Sequence, residues 1–360
     1  MNSPEIFNSE TSYCGGRFDF EHAAREDVKM AYRTVKERAQ DLIDAARRVV
    51  RGLPEIHFDF ILNGEINAVA FKSNERYFIG FNTGTLFLLR CVIGRMLSDS
   101  QLFNHIGNAR EEREDLGPLT DFVPDAEVIY QRTPLLTPND AIRRHYATFL
   151  QDQAIMFLVG HELTHIIHGH VDYLRAKWGQ KVTTELGGVK NRDQEARFER
   201  QCLELDADRR SIVSRIDSLR FTFDSRTLTP PWKQSLEHPV QMIFDWAISI
   251  FILFRLFGDI RFSRTELVDS AYPPLLLREG ICYTAAAEVA SEIWGVEVRP
   301  FAYEALRRAR IQTELAFARV LSVGPTPLDP EFVREGPEHL QRLSNYKTVL
   351  DELLRPYAFV

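Results

Sequence analysis

The sequence has little of three features that mark common protein classes. Its 360 residues include only four cysteines and no Cys-x-x-Cys pair, so neither a disulfide framework nor a cysteine zinc cluster is indicated. It has no long basic run, and its net charge of -7 argues against nucleic-acid binding. It also lacks an uninterrupted apolar run of about 20 residues, the length that crosses a bilayer. The remaining composition, 44% hydrophobic and 26% charged, is that of an ordinary globular protein.

The lack of a membrane span, of a signal peptide and of paired cysteines predicts the cellular compartment of the protein. The most apolar segment, Met242 to Phe257, is interrupted by Asp245 and Arg255, so we interpret it as a buried helix and not as a membrane span. The N-terminal residues show no basic region followed by an apolar one, so no signal peptide is expected. Scattered cysteines suit a reducing compartment. The prediction is a cytoplasmic protein without a membrane partner.

The most informative segment of the chain lies between Phe157 and His170. It contains His161-Glu162-Leu163-Thr164-His165, the H-E-x-x-H pattern, within an apolar stretch that predicts a helix. Histidines four residues apart lie on one helix face, where both can bind a single Zn²⁺. Glu162 is then placed to act as the general base on a water molecule. The alternative is a buried helix with incidental histidines.

A third ligand is predicted on the next helix, whose apolar residues follow helical spacing from Arg192 to Leu219. Zinc hydrolases with two histidines take a carboxylate as the third ligand, and Glu204 is the best candidate. Asp208 lies one turn further on the same face and can accept a hydrogen bond from a ligand imidazole. Asp206 points away from Glu204 and is the weaker choice. The alternative is that these acids form a solvated helix face.

Together these two motifs resemble the gluzincin peptidases of the CAAX prenyl protease type. That family carries H-E-x-x-H followed by E-F-x-A-D, and this chain has Leu205 in place of the phenylalanine. The resemblance implies His161, His165 and Glu204 as zinc ligands, Glu162 as base and Asp208 as a residue that supports a ligand. Four residues of a family H-P-P-x-x-x-R motif are also matched, with tyrosine in place of histidine: Tyr272, Pro273, Pro274 and Arg278.

The resemblance leaves two candidates for the group that stabilises the oxyanion. Tyr272 stands where the family has histidine, and its hydroxyl can donate a hydrogen bond as histidine does. A tyrosine packed before a Pro-Pro turn is the equal alternative. His238 also precedes a proline but lacks the rest of the motif, so we rank it second. Arg278 either pairs with Asp208 or lies at the surface.

The resemblance also extends upstream of the zinc motif, to a strand that binds substrate. Ile66 to Phe71 stands in the place of the family's N-A-F-A-type strand. This implies that Asn67, Ala68 and Val69 bind an extended peptide by strand addition, with Tyr77 to Phe81 as the alternative strand. The chain also resembles the soluble phage-exclusion peptidases of the Lit type, through the zinc motif and its extension His168-Gly169-His170. That likeness implies a dedicated protein substrate.

The predicted fold class is α+β and mainly helical, with a zincin-like peptidase core and a small antiparallel β-meander. Strands are predicted at Ile56–Leu62, Ile66–Lys72 and Arg76–Phe81, joined by an Asn63-Gly64 hairpin and a second turn at Ser73-Asn74-Glu75. The predicted division is an N-terminal segment and long helix over 1–52, a core over 53–280 and a helical region over 281–360. Within the core, the Pro-containing polar stretch 99–140 is predicted to be an insertion.

The sequence therefore predicts a soluble endopeptidase with one Zn²⁺ per chain that cleaves a protein or peptide. Two other functions stay open. One is a zinc scaffold that binds a protein partner, against which the intact base Glu162 argues. The other is a zinc amidohydrolase with a small substrate, which a closed pocket in place of an open groove would favour. Oligomeric state and the identity of the substrate do not follow from the sequence.

Overall fold

The protein is mainly helical with one small mixed sheet, as the predicted α+β class requires. The computed structural model describes residues 2–23, 25–119, 135–179, 182–184, 194–224, 238–257, 272–321 and 330–359. Its helices are α1 (Ser3–Thr11), α2 (Glu26–Val49), α3 (Thr83–Leu97), α4 (Ala141–Ile167), α5 (His170–Trp178), α6 (Gln194–Asp224), α7 (Pro239–Leu256), α8 (Leu275–Trp294), α9 (Arg299–Leu321) and α10 (Pro330–Leu354). Its strands are β1 (Ile56–Ile61), β2 (Ala68–Ser73), β3 (Arg76–Asn82) and β4 (Val182–Thr184).

The sheet is not the antiparallel meander that the sequence predicts. Its strand order is β1-β3-β2-β4, and β1 pairs with β3 in parallel, so β1 and β2 are not neighbours. The predicted hairpin at Asn63-Gly64 is therefore wrong. By contrast, β2 and β3 form the predicted tight turn, in which Ser73 is opposite Arg76. Asn74 and Glu75 both have positive φ, at 48° and 60°, as a type I′ turn requires.

The loop after β1 crosses the end of β3 because the start of α3 holds it. The Asn63 carbonyl accepts from Gly84 N at 2.8 Å and from the Thr83 hydroxyl at 3.0 Å. A Cβ atom on Gly84 would lie 1.9 Å from the Gly64 carbonyl oxygen, so only glycine allows this approach. The Asn63 side chain donates to the Cys14 carbonyl and accepts from Glu65 N. These hydrogen bonds stabilise the crossing of the loop over the end of β3. The turn propensity of Asn63-Gly64 therefore does not determine which strands pair.

The pairing partners of β2 and β3 change the prediction for peptide binding. Because β3 lies between β1 and β2, the proposal that Tyr77 to Phe81 accepts an added strand is wrong. On its other side, β2 pairs antiparallel with β4, and Val69 is opposite Thr184. The Asn67 carbonyl accepts from Asn82 N and from the Thr85 hydroxyl. The chain's own β4 thus occupies the β2 edge at Val69, one of the three residues predicted to bind substrate, and at Ala70 and Phe71.

The apolar segment near Met242 forms α7, a core helix. It is the one described helix that is long and apolar enough to cross a membrane, but 78% of it is buried inside the protein. Its charged residues have partners in the interior. Asp245 accepts from the Tyr146 hydroxyl at 2.7 Å, and Arg255 lies 3.3 Å from Glu314. This burial and pairing are those of a core helix in a soluble protein.

One hydrophobic cluster joins most of the described chain. It contains residues from Phe20 near the N-terminus to Leu354 at the end of α10, and α8 continues across the predicted boundary at residue 280. A smaller cluster packs α1 on the other face of the sheet, with Ile6 and Phe7 against Val69 and Phe71. The zinc-motif helix α4 contacts α6, α7, α3 and β2, so it lies at the centre of this arrangement.

The first part of the predicted insertion 99–140 is organised by a buried arginine, while residues 120–134 lie outside the described residues. Arg143 in the first turns of α4 is 0% exposed. Its guanidinium donates to the backbone carbonyls of Leu97, Asp99, Leu102, Phe103 and Ile106. A planar cation with five donors can satisfy several turn carbonyls at once, so this irregular stretch stays ordered without regular secondary structure.

Candidate metal centre

Two long buried helices bring the zinc-motif residues together. Helix α4 begins at Asp140, whose carboxylate accepts from Arg143 N at 2.9 Å, and its last two turns carry His161 and His165. The facing helix α6 carries Glu204. All three side chains are at most 1% exposed, so the acids of α6 do not form a solvated face. The structure therefore brings the three predicted ligands into one buried group that can hold a metal ion.

The ligand atoms converge on one point. The two histidine Nε2 atoms are 3.0 Å apart, and the Glu204 Oε2 atom lies 3.2 Å from His161 Nε2 and 3.6 Å from His165 Nε2. Two ligands about 2.1 Å from a tetrahedral zinc lie about 3.4 Å apart, and the three distances bracket that value. The donor set and its spacing thus fit a small metal ion of tetrahedral preference.

The hydrogen bond at Nδ1 of His161 leaves the Nε2 atom of the same ring with a lone pair, which is directed at this point. His161 Nδ1 lies 2.9 Å from Asp208 Oδ1. Burial alone would raise the pKa of Asp208, but the Arg278 guanidinium and His161 outweigh it and lower that pKa below its usual range. An ionised carboxylate only accepts, so His161 carries its proton on Nδ1. Asp208 therefore orients the ring in the tautomer that a metal ligand needs.

His165 is oriented through a second histidine that is not among the predicted site residues. His165 Nδ1 lies 2.9 Å from His170 Nδ1, and His170 Nε2 lies 3.5 Å from Asp206 Oδ2. The carboxylate of Asp206 draws the His170 proton to Nε2, so His170 Nδ1 accepts from His165 Nδ1. The Nε2 lone pair of His165 is then free for a metal. We name these three residues the His165–His170–Asp206 chain.

A helix break places His170 in that chain. Helix α4 ends at Ile167, and α5 begins at His170. Gly169 between them has φ of 74°, and a Cβ atom there would lie 2.6 Å from the Tyr357 backbone. Both conditions require glycine. The break turns His170 back toward His165, where it is 0% exposed.

A buried arginine, Arg200, compensates the charge of Glu204 and was not identified from the sequence. Arg200 Nε lies 2.8 Å from Glu204 Oε1, one helical turn away. Burial alone would raise the pKa of Glu204, but Arg200 and His165 outweigh it and lower that pKa well below its usual range. Glu204 is therefore an ionised ligand with one oxygen directed at the histidines and the other at Arg200. The Arg-x-x-x-Glu spacing on one helix face was the available signal.

The structure separates the two candidates for the oxyanion donor. The Tyr272 hydroxyl accepts from Arg200 Nη2 at 3.2 Å, and the Arg200 guanidinium lies 5.4 Å from the centre of the Tyr272 ring. Arg200 also interacts electrostatically with Glu162, the predicted base. His238 is instead an exposed N-cap of α7 that accepts from Val240 N at 3.3 Å. The geometry favours Tyr272.

The centre is closed to solvent. Glu162 is 1% exposed, as are the ligand His165 and the ion-paired Arg278, and His161 and Glu204 are 0% exposed. Burial also lowers the pKa of His165 to about 4, which keeps this imidazole neutral near pH 7.

Comparisons with protein-family models, with curated proteins and with solved structures give no match to this chain.

The His165–His170–Asp206 chain predicts an effect on metal affinity. We expect His170→Ala to weaken zinc binding by about 10- to 100-fold, because His165 loses the acceptor that fixes its tautomer. The measurement is competition with a chromophoric zinc chelator. His145→Ala is the matched control, since His145 is an exposed residue near the start of the same helix, about 30 Å from His165. Equal zinc affinities for the two variants would contradict the assignment.

Proposed function

We propose that this protein is a soluble, cytoplasmic, zinc-dependent endopeptidase of the gluzincin type. The observation that carries the proposal is the convergence of His161, His165 and Glu204 in one buried group, next to Glu162. Their donor set, two imidazoles and one carboxylate, is that of hydrolytic zinc sites, which keep a fourth position for water. When bound there, zinc supplies Lewis acidity, which lowers the pKa of a water to about 7 and polarises a carbonyl.

The residues of the chain supply the proton transfers. Glu162 takes a proton from the attacking water as the hydroxyl oxygen bonds to the scissile carbonyl carbon. The same carboxyl group then gives the proton to the leaving amine as the C–N bond breaks. Arg200 forms an ion pair with Glu204 and interacts electrostatically with Glu162, and its charge lowers the pKa of Glu204. The Tyr272 hydroxyl donates to the oxygen that becomes negative.

The substrate of this proposal is a protein or an extended peptide bound along β2. Strand addition at Val69 requires that β4 leave, because β4 pairs with Val69 to Phe71 in this structure. A latent enzyme of this kind becomes active when a partner or substrate displaces the strand. The closed centre also favours a second candidate, a zinc amidohydrolase with a small substrate, which would reach the site without displacing β4.

The test of the proposal is proteolysis that depends on the metal. The full chain is incubated with a denatured protein mixture, and new protein N-termini are identified by mass spectrometry. We expect cleavages that a zinc chelator abolishes and added zinc restores. Zinc bound at one ion per chain without any cleavage, but with hydrolysis of small amides, would replace the endopeptidase by the amidohydrolase. Absence of bound zinc would overturn both.

The oxyanion donor gives a separate prediction. We expect Tyr272→Phe to lower kcat about 10²- to 10³-fold with little change in KM, because the hydroxyl acts mainly in the transition state. His238→Ala serves as the comparison and is expected to leave kcat unchanged. Because the His238→Ala variant loses the N-cap of α7, we expect it to lower the free energy of unfolding by roughly 1 kcal/mol. Steady-state kinetics on a cleaved peptide decides between them, and the reverse pattern would transfer the role to His238.

A further inference from the structure

A second candidate binding site lies among the first turns of α2, the loop before β2 and the start of α3. There the chain forms a cavity of about 330 Å³, and no residue of the metal centre is part of its wall. Small-molecule sites commonly have volumes of about 300–1,000 Å³ and apolar walls with few polar groups. The cavity is at the lower end of that range.

The wall of this cavity is mainly apolar. Its apolar side chains come from five parts of the chain and include Phe18, Val28, Leu62, Leu86, Phe87 and Leu135. Leu62 is 51% exposed, which is unusual for a leucine beside a concave surface. A ligand with an apolar body would cover it.

The polar side chains of the wall have partners, with one exception. The Tyr32 hydroxyl donates to the Thr83 carbonyl at 3.1 Å, and the Asn63 amide donates to the Cys14 carbonyl at 3.2 Å. Arg25 binds Asp27 through two bonds, at 3.0 and 2.6 Å. Arg90 is partly buried and makes no hydrogen bond or ion pair with any residue that the structure describes. Arg90, which also lines a neighbouring polar pocket with Thr137 and Arg144, thus adds to the mainly apolar wall one guanidinium without a described hydrogen-bond partner.

We propose that this cavity binds a single-chain fatty acid, with the acyl chain against the apolar wall and the carboxylate on Arg90. A guanidinium presents parallel N–H donors that match both oxygens of a carboxylate. Asp27 interacts electrostatically with Arg90, but both of its carboxylate oxygens are hydrogen-bonded to Arg25. The site is independent of zinc and of proteolysis, and it does not rest on the proposed function.

The test uses the full chain and two probes of equal length, decanoate and decanol, below their micelle concentrations, with binding measured by calorimetry. We expect saturable decanoate binding that Arg90→Met weakens by about tenfold or more, since a charged hydrogen-bonded pair is lost. Decanol binding should be unchanged in that variant, which also shows that the cavity is intact. Arg48→Met is the control: Arg48 is exposed near the other end of α2, about 30 Å from the cavity.

Three outcomes would overturn the proposal. The first is the absence of saturable decanoate binding to the wild-type chain. The second is an equal loss of decanoate binding in the Arg90→Met and Arg48→Met variants. The third is tighter binding of a leucine tripeptide with a free C-terminal carboxylate than of decanoate, which would assign the cavity to peptide ends.

Discussion

Replacement of Glu162 by glutamine is expected to reduce proteolysis by about 10²- to 10⁴-fold, the range that general acid–base catalysis contributes. Glutamine has the size and shape of glutamate but cannot take a proton from water at neutral pH. The ligands His161, His165 and Glu204 are unchanged, so the zinc content should stay at one ion per chain. Glu162 is buried at the centre between α4 and α6, and an isosteric change there should preserve the fold.

The measurement compares new protein N-termini in cells that express the wild-type chain or the Glu162→Gln variant. Glu195→Gln is the matched control, because this glutamate is largely exposed at the start of α6. Zinc content and circular dichroism of the purified proteins establish that the variants are folded and loaded. Cleavage by the Glu162→Gln protein at the wild-type rate would sink the peptidase assignment.

The pattern of cleavages separates two biological roles. One dominant cleavage that only the wild-type chain produces would indicate a dedicated protease and would identify its target. Many cleavages with a shared sequence preference would indicate general protein turnover. No difference between the strains would favour latency, in accord with a buried centre and a β2 edge that β4 occupies.

The metal group could be predicted from the sequence because its geometry is local. Two histidines four residues apart must share a helix face, and the spacing from Glu204 to Asp208 repeats that rule on a second helix. Helix α7 was predictable for a similar reason, since the nine uncharged residues between Asp245 and Arg255 are too few to cross a bilayer. In each case a short-range periodicity determines which side chains are neighbours.

The supporting residues could not be predicted because their contacts depend on chain crossings. His170 joins His165 only because Gly169 breaks the helix, and Asp206 becomes its partner because α6 packs against that break. The prediction of the strand order was wrong for the same reason. Asn63-Gly64 favours a hairpin locally, but hydrogen bonds to the start of α3 carry the chain across β3. Tertiary contacts outweigh a turn propensity of this size.

Replacement of Arg278 by methionine is expected to lower the free energy of unfolding by about 3–5 kcal/mol, the cost of breaking a buried ion pair by removing one partner. Arg278 Nε and Nη2 donate to the two Asp208 oxygens, each at 2.7 Å, and both side chains are at most 1% exposed. The Arg278 guanidinium also lies 5.1 Å from the centre of the Phe254 ring. Methionine restores much of the volume but leaves the Asp208 carboxylate buried beside His161 without its cation.

The chain offers a matched control for that prediction on the same two helices. Arg209 and Glu288 also bridge α6 and α8, at 2.9 Å, but their side chains are 43% and 36% exposed. Arg209→Met should therefore cost no more than about 1 kcal/mol. Urea unfolding of the metal-free proteins measures both values without a contribution from zinc. If Arg278→Met is no more destabilising than Arg209→Met, Asp208 does not depend on Arg278, and the support of His161 must come from elsewhere.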